Sequence, residues 1–146
     1  MFRIVVLLVL AIGFFALPSF SPSGPRAETL SAEERAINAV IEAQLAAFKR
    51  HDAEAAFSHA APDIQARFQT AENFIAAVAT QYLPLYSPKR VAFLGLVQED
   101  GATIQRLKVL GPEGGEYIAY YPMERQSDGV WKIGGCHLEP VAGLDA

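Results

Sequence analysis

Three short turn segments in the second half of the chain constrain the fold more than any other feature. Asp100-Gly101, Gly111-Pro112-Glu113-Gly114-Gly115 and Ser127-Asp128-Gly129 separate four runs rich in β-branched and aromatic residues. Those runs are Val91 to Val97, Thr103 to Leu110, Tyr117 to Arg125 and Val130 to Leu138. Asp-Gly is a hairpin dipeptide because both residues tolerate the positive φ that a tight turn demands. Connections this short join antiparallel neighbours, since parallel pairing needs a long crossover. The pattern predicts a four-stranded antiparallel meander.

A meander buries one face, and the segment before it supplies the cover. Ser31 with Glu34 three residues on is a capping box, and Ile37, Val40, Ile41, Gln44, Leu45 and Phe48 then follow at helical spacing. This predicts a helix over 32–50. Asp52 caps a second helix, Ala53 to Ala60. Pro62 opens a third, to Phe68, and Thr70 caps a fourth, Ala71 to about Tyr82, with Phe74, Val78 and Tyr82 inward. Leu85 to Pro88 reads as an extended connector. The fold class is therefore α+β, with the helices laid in the concavity of a curved sheet.

The amino terminus reads as a secretory leader over residues 1–23. Arg3 is followed by a 14-residue apolar run, Ile4 to Leu17, short of the roughly 20 residues that span a bilayer. Ser21-Pro22-Ser23 offers small residues for cleavage near 23, and Ala27 offers a second point. An uncleaved anchor is the alternative, and it would be the protein's one link to a membrane. Residues 24–30 then form a linker, 31–140 a single domain and 141–146 a tail. The formal charge is −4, or −5 once Arg3 leaves with the leader. A mildly acidic domain without a basic stripe argues against nucleic acid and against anionic lipid as partners. Cys136 is the single cysteine, so no disulfide forms within the chain and packing alone must hold it.

Helices first, then an antiparallel sheet closing on Asp128-Gly129-Val130-Trp131-Lys132-Ile133, resembles the cone-shaped superfamily of nuclear transport factor two, ketosteroid isomerase and scytalone dehydratase. More narrowly, Gln44-Leu45-x-Ala47-Phe48, Ala61-Pro62-x-Ile64-Gln65, Phe74 and Trp131-x-Ile133-x-Gly135-Cys136 are similar to an exported bacterial domain family of unknown function. The resemblance spans roughly residues 33–138 and implies a cystatin-like cone with a cavity. In one place the chain departs from the superfamily pattern: residues 62–70 read as helix where a short strand or hairpin is usual.

The cone hosts enzymes and plain binding modules alike, so function has to come from the groups aimed into the cavity. Alternation places Trp131, Ile133, Gly135 and His137 on one face of the last strand, with Trp131 and Ile133 inward and His137 carried in near the open end. An imidazole there is a candidate acid or base. A bulge at Gly134-Gly135 would exchange the faces of Cys136 and His137. Phe48, Tyr82, Tyr120, Trp131 and His137 are the candidate pocket residues, with His137 as the one catalytic candidate. Neighbouring side chains on a strand point apart, which opposes a Cys136–His137 dyad. No carboxylate occupies an inward strand position to serve as an isomerase base. Asp52 and Asp128 read as cap and turn residues. His51 and His59 lie on either side of a helix break, so no metal site is expected, and no cofactor motif is present. The leading expectation is a binding module for a small, partly apolar ligand or a protein partner. An isomerase- or dehydratase-like enzyme and a dimerisation module without ligand are the alternatives. The strand at 91–97 is apolar on both faces, which suggests a homodimer through the outer sheet face.

Overall fold

The computed structural model describes residues 29–143. The leader, the start of the linker and the last three residues of the tail lie outside the described residues. Ser31 caps α1 (Ala32–Lys49), its hydroxyl accepting the Glu34 N–H at 3.0 Å. Glu33 and Glu34 in the first turn and Lys49 in the last complement the helix dipole. Ile37, Ile41, Gln44, Ala47 and Phe48 form the buried stripe.

The helix stops in a Schellman motif. The Asp52 N–H reaches Ala47 O at 2.9 Å and the His51 N–H reaches Phe48 O at 3.0 Å, with His51 at φ 57°. Asp52 then caps α2 (Ala53–Ser58) by accepting the Ala55 N–H at 3.0 Å. Pro62 begins α3 (Pro62–Phe68), and Thr70 caps α4 (Ala71–Gln81). Between them Gln69 lies at φ 69°, ψ −43°, with Thr70 N–H on Phe68 O at 2.8 Å, a γ-turn of the rarer and strained hand. The connector expected to be extended is instead a one-turn helix, α5 (Leu83–Tyr86). Pro84 in its first turn has the φ a helix start requires, and that is the reason for the difference.

The strands are β1 (Arg90–Glu99), β2 (Ala102–Leu110), β3 (Glu116–Arg125), β4 (Trp131–Ile133) and β5 (His137–Pro140). They pair antiparallel in the order β1-β2-β3-β4, with β5 also on β3. The architecture is the expected α+β one, with the helices packed on one face of an antiparallel sheet.

Two local features differ from simple alternation. In β1 the register shifts between Phe93 and Gly95, where Gly95 has φ 98°. The bulge changes the phase, so Phe93 and Leu96 both pack inward while Leu94 is exposed. In addition, the fourth expected strand is broken in two. Residues 134–136 leave the ladder opposite Pro122. Pro122 O accepts the Gly134 N–H at 2.8 Å, so the backbone edge of residue 122 faces this strand. A proline there has no N–H to offer, and the partner strand is released.

The core has two parts. Ile37 and Ile41 of α1 and Leu85 of α5 pack on Leu107, Val109, Ala119, Tyr121, Met123 and Ile133 of the sheet. Ala47, Phe48, Ala56, Phe74 and Val78 form a second cluster among the helices. A backbone link ties the two. Ile133 N–H donates to His59 O at 2.9 Å and Ala61 N–H donates to Ile133 O at 2.8 Å, fixing the α2–α3 junction against β4.

Candidate ligand cavity

The two core clusters do not close on each other. Between them lies a cavity of about 230 Å³. Its helical wall is Phe48 from α1, Ile64, Arg67 and Phe68 from α3, Phe74, Ala77, Val78 and Gln81 from α4, and Leu85. The opposite wall is Tyr121, Ile133 and the released segment Gly134-Gly135-Cys136. Phe74 is the hub of the helical wall, its ring 5.3 Å from Phe57, 5.6 Å from Phe68 and 6.3 Å from Phe48. Such pairs are worth about 0.5–1.5 kcal/mol each beyond their buried area. Tyr82 bridges the walls by donating its hydroxyl to Cys136 O at 3.2 Å.

Few polar groups line the cavity. Gln44 is buried and spends its amide N–H on Ala56 O at 3.1 Å. Tyr121 is 1% exposed, and its hydroxyl has no partner in hydrogen-bond geometry. The polar group beside it is the Cys136 thiol, a weak acceptor. Burial pushes the Cys136 thiol up to about 12, with the Tyr121 hydroxyl pulling weakly the other way. Burial, and then the thiol, hold the Tyr121 hydroxyl well above the ordinary phenol range. Both groups are neutral near pH 7, so the thiol is no nucleophile there. Arg67 and Gln81 are exposed and stand at the rim, and Arg67 is the one charged residue in the lining.

The five pocket residues expected from sequence separate. Phe48 and Tyr82 line the cavity. Trp131 faces the main core half-buried, under the Arg125 guanidinium at 6.0 Å, and is not part of the lining. Tyr120 and His137 face the other side of the sheet, their rings 6.3 Å apart.

His137 therefore has to be corrected. Its side chain is 69% exposed, with Nε2 3.4 Å from the Glu139 carboxylate. The break at 134–136 exchanged the faces, turning Cys136 in and His137 out. The two remain on opposite sides, so no dyad forms. Tyr121, Cys136, Leu85 and Arg67 are among the lining residues that the sequence reading did not assign to the pocket. Tyr121 shares its parity along β3 with Ala119 and Met123, both buried, and that alternation was the available signal.

Of the other histidines, His51 Nδ1 lies 2.7 Å from the Tyr86 hydroxyl in a second hollow of about 590 Å³ between the end of α1 and the start of β1. His59 is held below the usual imidazole value by burial and then by the Lys132 charge, and stands outside the cavity lining. Among the described residues no group of three His, Cys, Asp or Glu side chains is placed to hold a metal ion. Among the described residues no helix is long and apolar enough to cross a membrane.

A family model described as a domain of unknown function, DUF4864, matches residues 30–146. The chain belongs to the DUF4864 family. The match covers every helix and strand of the DUF4864 domain described above and leaves out residues 1–29. No curated protein and no solved structure matches this DUF4864 chain.

Proposed function

We propose that this DUF4864 protein is an exported binding domain that encloses a small, largely apolar molecule between α3–α4 and the β4–β5 break. The observation that carries this reading is the cavity itself, about 230 Å³ and walled mainly by aromatic and aliphatic side chains. For scale, a cavity of about 150 Å³ accepts benzene. Two titratable groups inside it, Tyr121 and Cys136, are both pushed toward their neutral forms. They favour holding an uncharged ligand body over moving protons at neutral pH. His137, the acid-base candidate of an isomerase-like reading, lies on the far face. The proposal keeps the resemblance to the cone superfamily, which the helices on one face of an antiparallel sheet support. Export rests on the leader reading of residues 1–23, and the mass of the native chain decides it.

Binding is tested with neutral apolar probes, toluene and 1-octanol, read by chemical-shift changes and by unfolding temperature. A probe present at about 100 times its Kd raises stability by about 2.7 kcal/mol. Ala77→Phe, which pushes a ring into the lining from α4, abolishes the effect while the protein stays folded. No response to any apolar probe would remove the reading.

A second reading concerns the outer sheet face. Ile104, Ile118, Tyr120 and Pro122 alternate with the buried inner residues and are only half-buried there, with Leu94 43% exposed beside them. We propose this face as the contact of a homodimer, and sedimentation of wild type against Ile104→Lys tests it.

A further inference from the structure

The geometry points to a monocarboxylate with an unbranched apolar body of about seven carbons as the ligand of the cavity, its head group held at the rim by Arg67 and its body enclosed by the ring of Phe74 and its neighbours. The inference rests on the binding reading of the same cavity and adds the chemistry of the ligand's polar end.

Three observations carry it. The first is charge. Arg67 is the one charged residue among those lining the cavity, and no carboxylate lines it. The second is that this charge is unspent. The ion pairs among the described residues are Arg50–Asp52, Lys108–Glu116 and His137–Glu139, and none uses Arg67. Asp63 stands one turn earlier on α3 and makes no such pair with it. The third is position. The guanidinium carbon lies 5.9 Å from the centroid of Phe68, itself a lining residue, so the cation sits at the junction of the apolar wall and solvent. Gln81, exposed on the same rim, adds amide donors.

Size sets the rest. Scaling from a cavity of about 150 Å³ that holds the six carbons of benzene, 230 Å³ has room for about nine heavy atoms. A seven-carbon body ending in a carboxylate, about ten heavy atoms in all, matches that size and would keep its charge at the solvent edge, where a planar guanidinium can meet both oxygens. A dianionic or phosphorylated ligand has one cation to meet it and two charges to satisfy, which is why the monocarboxylate is favoured.

The test titrates the purified protein at pH 7 with sodium octanoate and, separately, with 1-octanol, by calorimetry and NMR. Octanoate is expected to bind the wild type more tightly than octanol does. Arg67→Ala should weaken octanoate by roughly five- to tenfold, since a charge-assisted contact at an exposed rim is worth part of the buried value. The same change should leave octanol within about twofold of wild type, because the apolar wall is untouched. Arg67→Lys should recover part of the octanoate affinity. Added salt should weaken octanoate and not octanol. If octanol binds as well as octanoate and Arg67→Ala changes neither, the carboxylate assignment is overturned while the cavity still binds apolar molecules. If neither probe binds, the cavity reading fails and this inference fails with it.

Discussion

Replacing Tyr121 by phenylalanine should make the protein more stable, against the usual direction for a buried side chain. The ring is 1% exposed and packs in the main core with Leu107, Ala119 and Ile133, and phenylalanine keeps those contacts. What the change removes is a hydroxyl cut off from water and without a partner in hydrogen-bond geometry. Leaving such a group unsatisfied costs the folded state about 1–3 kcal/mol, and the neighbouring thiol recovers only part of that. A gain of about 1 kcal/mol follows, or about 4 °C in Tm for a domain of this length. Urea unfolding with an unchanged m-value measures it. Tyr82→Phe is the matched control, because its hydroxyl donates to Cys136 O at 3.2 Å. Losing that bond should cost about 1 kcal/mol. Two tyrosines on one cavity thus respond with opposite signs. A loss of 1 kcal/mol or more for Tyr121→Phe would show that its hydroxyl is well satisfied and would refute the reasoning.

Two further outcomes are expected. The folded protein raises the Cys136 thiol from 9.0 to about 12, so it binds a proton that the unfolded chain releases between those values. Stability is then full below pH 9 and falls as pH rises toward 12, by up to about 1.4 kcal/mol per unit for this group, and Cys136→Ala should flatten that fall in alkaline unfolding curves. Gln69 holds φ 69° in an exposed γ-turn, so Gln69→Gly should raise stability by about 1 kcal/mol in thermal unfolding, and a loss would mean that the turn carries no strain.

The layer order and the meander were legible because short turns and apolar period are local properties. Asp100-Gly101 needs positive φ and takes it at both residues, and the Ser31 and Thr70 caps act within three residues of themselves. The site was less legible because its wall is made by an exception to alternation. Counting by twos from Trp131 and Ile133 is valid only while the strand stays on the ladder. Pro122, on a different strand, takes it off. The signal was present, since a proline inside a strand run marks an irregular edge, but it had to be read against the partner strand. The bulge at Gly95 interrupts alternation in the same way, bringing Leu96 inward although counting by twos puts it on the face of the exposed Leu94. Phe48 and Tyr82 were readable because helical periodicity needs no partner. Arg67 was not, since only folding brings the end of α3 to the same opening as Gln81 of α4.

The break opposite Pro122 also bears on how such a domain can diversify. One side of the cavity there is drawn in main chain, with Gly134 and Gly135 contributing no side chain beyond hydrogen. A Cβ at Gly134 would come within 3.1 Å of the exposed Glu124 carboxylate group, which would have to shift by a few tenths of an ångström to admit it. A Cβ at Gly135 would meet only the Pro122 ring, at 4.0 Å, so this position has room for a side chain. Changes in which molecules fit can be made there, and on α3 and α4 at positions such as Ile64, Phe68, Ala77 and Gln81. Selectivity then becomes a heritable property of two short helices and one glycine of the broken strand.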